Sequence, residues 1–261
     1  MLWLKAVLLG LVEGATEFLP VSSTGHLIVA SEWLRYPVAQ RATFEIFIQL
    51  GAILAVYWHY RRELLALAHD ASHDPAARGL VGKVLLAFVP AAVIGLLTHH
   101  WIEDHLFSVR AVALALIVGG VVIWLIERRP PAVSVTRIEA VSWREALWIG
   151  LAQVASLYPG VSRAAATIMG GMLTGLARPT ATQFSFYLAL PTLTAASLYS
   201  LLKALGHIEA SEAGALAIGF VTAFVSALAV IRVFLRYVQT HDFRPFAYYR
   251  IAFGLLLLWL A

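Results

Sequence analysis

The chain has no cysteine, which excludes disulfides and thiolate chemistry. Charge is scarce too: only 13% of its 261 residues are Asp, Glu, Lys or Arg, against 61% hydrophobic. With a mean hydropathy of +0.80, this composition excludes an ordinary water-soluble domain and fits a chain dissolved in lipid. Uncharged runs such as Val112–Ile126 and Ile251–Ala261 make the same point. An uninterrupted apolar core near the N-terminus is also missing, because Glu13 and Glu17 fall inside it; a cleaved signal peptide is therefore not expected. The formal charge of +4 and pI near 9.5 do not indicate nucleic acid, because the basic residues sit in short loops between apolar runs, the positive-inside pattern.

A bilayer span takes roughly 20 mostly apolar residues. The segments that approach this are Phe44–Tyr60, Lys83–Thr98, Phe107–Ile126, Phe184–Leu205, Ala213–Val233 and Phe246–Ala261. The loops Arg61–Lys83, Glu127–Arg144 and Arg236–Arg244 carry arginine or lysine, whereas His99–His105 and Gly206–Glu212 carry neither. The first three loops are expected in the cytoplasm and the other two outside. Two stretches do not fit as spans, Met1–Leu34 and Glu145–Leu176. Each has two short apolar arms broken by a proline-centred polar turn, and each is expected to enter and leave on one side as a re-entrant hairpin.

The two hairpins are related. Shifting the sequence by 140 residues aligns Trp3 with Trp143, Gly10 with Gly150, Ser22 with Ser162 and Phe44 with Phe184, without a gap. The expected fold is a single all-α polytopic membrane domain over residues 1–261, with repeats at about 1–126 and 141–261. Each half is a re-entrant hairpin plus three transmembrane helices. An odd number of crossings turns the second copy upside down, so the broken hairpins should meet near the midplane.

Chemistry concentrates in those turns. Glu13 and Glu17, at i and i+4 on one helical face, repel each other and are costly at membrane depth. A bound divalent cation is the simplest reason for such a pair, with Mg²⁺ or Ca²⁺ preferring these hard oxygen ligands. The turn continues Pro20-Val21-Ser22-Ser23-Thr24-Gly25-His26. Ser22, Ser23 or Thr24 suits a helix N-cap. His26 is able to serve as base, acid or nucleophile, and Ser23 as nucleophile or oxyanion donor.

The second turn is Pro159-Gly160-Val161-Ser162-Arg163, followed by an alanine run and Thr167. Gly160 permits an unusual backbone angle, and the alanines should open a helix whose N–H groups face the turn and attract anions. Arg163 adds a planar fork matched to phosphate oxygens, with Ser162 and Thr167 as further donors. Glu45, Gln49, Gln153 and Gln183 are read either as lining of the same cavity or as hydrogen-bonding groups between helices. The other histidines show no metal-ligand spacing. Negative charge and a proton-transfer group on one turn, and positive charge on the other, are what phosphoryl transfer requires.

The run Glu13-Gly14-Ala15-Thr16-Glu17-Phe18-Leu19-Pro20-Val21-Ser22-Ser23-Thr24-Gly25-His26 and the Pro159–Arg163 motif with Thr167 resemble those of the bacterial undecaprenyl-diphosphatase family, the bacitracin-resistance type. Phe44-Glu45-Ile46-Phe47-Ile48-Gln49-Leu50-Gly51 and Gln183-Phe184-Ser185-Phe186 extend the match along the chain. The resemblance implies hydrolysis of undecaprenyl diphosphate to the monophosphate, recycling a lipid carrier for wall polymers. It also implies a divalent cation and a bacterial plasma-membrane location, with the site open to the periplasmic side. By position, Glu13 and Glu17 match the family's metal-associated acids, and Ser23 and His26 its catalytic serine and histidine. Ser162, Arg163 and Thr167 match its phosphate-binding motif, with Arg163 also counted among the catalytic groups and Ser22 and Gly160 beside them at the phosphate. Ala164-Ala165 stands where the family commonly has Ser-Gly.

The rival expectation is an inverted-repeat carrier that flips a phosphorylated polyprenyl lipid, since broken helices at the midplane also build transporters. Expected partners are the lipid substrate and the membrane, with no nucleic acid; a homodimer is left open.

Overall fold

Without water in the bilayer core, each backbone N–H and C=O must find its partner within the same segment, so the apolar runs become helices. The computed structural model describes residues 2–106, 108–204 and 212–260. The ends of three expected spans, at Phe107, Leu205 and Ala261, and most of the expected loop after Leu205 lie outside the described residues. Among the described residues the chain is helical: α1 (Leu2–Thr16), α2 (Ser23–Trp33), α3 (Val38–His59), α4 (Arg61–Asp70), α5 (Pro75–Leu106), α6 (Val109–Arg128), α7 (Trp143–Val154), α8 (Arg163–Leu173), α9 (Arg178–Ala204), α10 (Ala213–Tyr237) and α11 (Arg244–Leu260). Of these, α3, α5, α6, α9 and α10 contain stretches long and apolar enough to cross a membrane. The sixth expected span is α11, 17 residues long. This is a multi-pass membrane protein.

Two stretches read as loop are helical instead. His99–His105 forms the last turns of α5, and Arg61–Asp70 is α4. Neither contains the glycine or proline that would stop a helix, so the ladder runs on beyond the apolar stretch. At 32 residues, α5 spans about 48 Å, well past the apolar slab.

Small residues set how closely the helices approach, as expected where lipid offers no hydrophobic drive for association. Gly10 and Gly14 of α1 lie against Gly219, Ala223 and Ala227 of α10. A Cβ on Gly14 would sit 2.0 Å from Ser226 Oγ and 2.4 Å from the Ala223 carbonyl. Gly150 holds α7 against α5 in the same way, with a Cβ meeting the Ala87 carbonyl at 2.4 Å. Gly14→Ala is therefore expected to overpack the α1–α10 contact by about 1–3 kcal/mol. A thermal melt in detergent should show a drop of roughly 3–10 °C; an unchanged melt would mean that the helices separate freely.

At one end of the bundle the buried Glu127 carboxylate of α6 accepts both Nε and Nη2 of Arg178, and its Oε1 also accepts the Phe243 N–H at 2.9 Å. Arg244 donates to the Glu127 carbonyl at 3.0 Å. This cluster ties the starts of α9 and α11 to the end of α6, which fixes where both deliver their residues to the site.

Candidate active site

The first turn is built by the end of α1. The Glu17 N–H donates to the Glu13 carbonyl at 2.9 Å, extending the ladder one residue past Thr16. Both acids therefore share a face, and both are buried. The chain then reverses through Pro20 and reaches Ser22 at φ 71°, a left-handed conformation uncommon for a residue with a Cβ. Ser22 is the N-cap of α2 but makes no side-chain cap bond, so the N–H groups of that first turn remain available to an anion.

The second turn repeats the pattern. Gly160 takes φ 95° and packs where a Cβ would meet the Val112 carbonyl at 2.7 Å. Ser162 follows at φ 72° and caps α8, its Oγ accepting from the Ala165 N–H at 3.2 Å. The buried Arg163 opens α8 and reaches across to the first turn. Its Nη2 donates to Glu17 Oε1 at 3.3 Å, linking residues 146 apart in sequence. Its Nη1 donates to the carbonyl and the Oγ of Ser185 on α9, at 3.2 and 3.3 Å. The guanidinium lies 5.7 Å above the Phe18 ring.

Glu17 is thus held from both sides, because its Oε2 accepts the Ser23 hydroxyl at 2.5 Å. Glu13 differs. Its Oε2 is buried without a hydrogen-bond partner, while the charges of Glu17, Glu45 and Arg163 all act on it. An orphaned carboxylate oxygen beside a second carboxylate fits a hard cation. Among the described residues no cluster of three or more His, Asp or Glu forms a metal site. A cation here would complete its shell with water and substrate oxygens, as Mg²⁺ commonly does.

His26 faces another neighbour. Its Nδ1 lies 2.7 Å from the Ser22 carbonyl, which only accepts, so that nitrogen carries the hydrogen. Nε2 is then the acceptor, taking the Tyr249 hydroxyl at 2.6 Å. The ring stacks on Phe253 at 4.5 Å, and both aromatic partners belong to α11.

A model of the family described as "Bacitracin resistance protein BacA" matches residues 6–256. The chain belongs to the BacA family. It is 52% identical to "Undecaprenyl-diphosphatase 2" of Rhodospirillum rubrum, over 98% of this chain and 93% of that protein. It is 50% identical to "Undecaprenyl-diphosphatase" of Methylococcus capsulatus, over 98% and 94% respectively. The protein of that name from Thermoanaerobacter pseudethanolicus is 48% identical over 98% of this chain and 96% of its own length.

In this BacA-family chain the structure brings Glu13, Glu17, Ser22, Ser23, Gly160, Ser162 and Arg163 to the two turns. Thr167 is placed differently. Its hydroxyl donates to the Arg163 carbonyl at 2.9 Å and meets Ser185 Oγ at 2.6 Å, so it stands behind the arginine and braces it. The cavity-lining group also divides. Glu45 is half-buried, and Gln49 accepts from Ser197 at 2.8 Å. Gln153 is fully buried, accepting from Thr192 at 3.3 Å while its Nε2 has no partner. Gln183 is half-buried on α9. Ala164 and Ala165 are buried in the first turn of α8, where the cap uses only the Ala165 backbone N–H. Tyr249 makes a contact that no local motif marks, whereas Ser185 falls in the Gln183–Phe186 run and only its pairing with Arg163 is added by the fold.

Tyr249→Phe tests the histidine contact. Loss of the hydroxyl leaves Nε2 without its donor, and turnover is expected to fall about 3–10-fold, the cost of one neutral hydrogen bond. An unchanged kcat would separate Tyr249 from the chemistry.

Proposed function

We infer that this chain is an undecaprenyl-diphosphate phosphatase, a membrane hydrolase that releases inorganic phosphate and leaves undecaprenyl phosphate. The observation that carries the reading is the Glu17–Arg163 contact at 3.3 Å. It joins an acidic turn to an anion-binding turn in a chain about half identical, over nearly its full length, to proteins named undecaprenyl-diphosphatase.

Arg163 and the first-turn N–H groups of α2 and α8 hold the terminal phosphate oxygens, which neutralises and aligns them. Glu13 and Glu17 are the residues that would bind a divalent cation, which supplies further positive charge at the phosphate. Ser23 is the nucleophile that the hydrogen bonds support, because Glu17 is in place to take its proton. As the Ser23 Oγ–P bond forms, the anhydride P–O bond breaks and undecaprenyl phosphate departs with the bridging oxygen. Water then attacks the phosphoserine, its proton passing to His26 Nε2 by way of the Tyr249 hydroxyl that donates to that nitrogen; the Oγ–P bond breaks, Ser23 recovers its proton from Glu17, and inorganic phosphate leaves. An apolar groove of about 320 Å³ lined by Leu19, Val230, Val233, Phe234 and Phe246 offers a seat to part of the prenyl tail.

The inverted repeat belongs to the same proposal. The offset of 140 carries α2 onto α8 from first residue to last, and it pairs Ser22 at φ 71° with Ser162 at φ 72°. It also pairs Gly10, against α10, with Gly150, against α5. Basic segments at residues 61–83, 127–144 and 236–244 support a cytoplasmic side there, with both hairpins meeting in a plasma membrane and the site open to the periplasmic side.

Purified protein in detergent, given undecaprenyl diphosphate and Mg²⁺ or Ca²⁺, should release one phosphate per lipid, and a chelator should stop it. His26→Ala should slow turnover about 10²-fold, the lower range for a proton-transfer group, and should accumulate acid-stable phosphoenzyme. Full turnover by that variant would remove histidine from the mechanism. Labelled lipid that changed leaflet without any phosphate appearing would show a carrier.

A further inference from the structure

Arg250 lies at membrane depth in α11, has no exposed surface, and is one of the largest fully buried side chains of the protein. A buried cation is costly unless every donor is met. Among the described residues, none of its hydrogen-bond partners is a carboxylate; all are backbone carbonyls. Nε donates to Leu116 O at 3.3 Å and Nη2 to Ala115 O at 3.2 Å, both on α6. Nη1 donates to Pro20 O at 3.1 Å in the first turn and to Val161 O at 3.0 Å in the second. Nη2 also donates to Gly160 O at 3.0 Å. A guanidinium has five N–H bonds, and here each has a separate carbonyl.

Three of those carbonyls belong to the turns that carry the site. Both turns include residues at positive φ, namely Ser22, Gly160 and Ser162, and such backbone persists only when its surroundings hold it. Pro20 and Val161 share one nitrogen of one side chain, so the position of either turn fixes the other. Room for the fork comes from α6, where a Cβ on Gly119 would stand 2.2 Å from Nη2 and 2.8 Å from Cζ. The preceding residue on α11 is Tyr249, the partner of His26.

We propose that Arg250 is a positioning residue that clips the two phosphate-site turns together from behind, through Pro20, Gly160 and Val161, and so sets the alignment of Ser23 and Glu17 against Arg163. Its charge adds positive potential on the side where the anionic headgroup binds. The kinetic consequence rests on the phosphatase reading; the geometric one does not, and the test has an arm for each.

Two substitutions reach the same contact from opposite sides. Arg250→Lys keeps the charge but offers three donors from one atom, too few for five carbonyls spread over three segments. Gly119→Ala leaves Arg250 in place and pushes its fork off the turns. In the geometric arm, hydrogen–deuterium exchange in detergent should speed up about tenfold or more in peptides covering residues 17–24 and 158–164. Peptides from α3 and α10 should keep the parental rate. In the kinetic arm, kcat should fall about 10²-fold, as for a reacting group displaced by an ångström. KM should stay within about threefold, and the double variant should lose no more than the worse single one.

Unchanged exchange in both turns would overturn the proposal. So would equal acceleration along the whole chain, or a kcat within about threefold of the parent at equal folded fraction. If Arg250→Lys does not fold, Gly119→Ala decides alone. Faster exchange confined to the turns, in a parent that releases no phosphate, would support the clip and refute the phosphatase reading.

Discussion

Glu17→Gln is expected to lower phosphate release by about 10³-fold or more, a loss of about 4 kcal/mol in transition-state stabilisation. The side chain keeps its shape, so packing beside Phe18 and Ser23 should survive. Its charge does not. The amide cannot take the Ser23 proton across the 2.5 Å contact, and losing a proton acceptor alone costs about 10²–10⁴. It also leaves the Arg163 guanidinium, 8% exposed, without its directly bonded counter-charge. Removing one partner of a buried pair typically costs about 3–5 kcal/mol of stability, so a lower melting temperature should accompany the kinetic loss. Turnover at saturating lipid, normalised to folded protein, checks this. Activity within about tenfold of the parent would remove Glu17 from the chemistry.

Arg163→Lys is expected to reduce kcat/KM by about 10²–10³-fold, the range seen when one preorganised donor to a developing oxyanion is removed. The reason is the shape of the fork. Nη1 reaches Ser185 while Nη2 reaches Glu17, so one planar group ties two segments together. An ammonium is a single point with rotating donors and does not reproduce that plane. The charge is kept, so the melting temperature should change less than for Glu17→Gln. Steady-state kinetics and a melt on the same preparation separate the two effects. A lysine variant with parental kcat/KM would mean that charge alone serves and that the fork is incidental.

The parts of this site legible in the sequence are those that violate the rules of their surroundings. Glu13 and Glu17 are acids in an apolar helix, and each proline turn interrupts a run that lipid would otherwise keep helical. The offset of 140 relates the turns in the sequence, and α2 and α8 have matching bounds under it. The pairings made by distant helices are not legible, even though Ser185 itself falls in the Gln183–Phe186 run. Ser185 lies 22 residues from Arg163 and Tyr249 lies 223 from His26, and neither spacing is a pattern on any one element. Thr167 illustrates the limit of motif reading: its place in the motif suggests phosphate, but one helical turn beyond Arg163 its hydroxyl meets the Arg163 carbonyl and Ser185 of α9. A signal for Arg250 did exist, as an arginine inside the apolar segment after Phe246, where a charge at depth calls for an explanation. The helical run through His99–His105 is hard to read because low apolarity marks a loop and a helix outrunning the bilayer alike, although nothing there ends a helix.

The most direct measurement is an acid-quenched reaction of the reconstituted protein with undecaprenyl diphosphate labelled in its terminal phosphate, run alongside Glu17→Gln and Arg163→Lys. The expected result is label appearing as inorganic phosphate with the parent and nearly none with either variant. Label that stays on the lipid with the parent, or leaves it equally fast with both variants, would contradict a single phosphate site shared by the two turns.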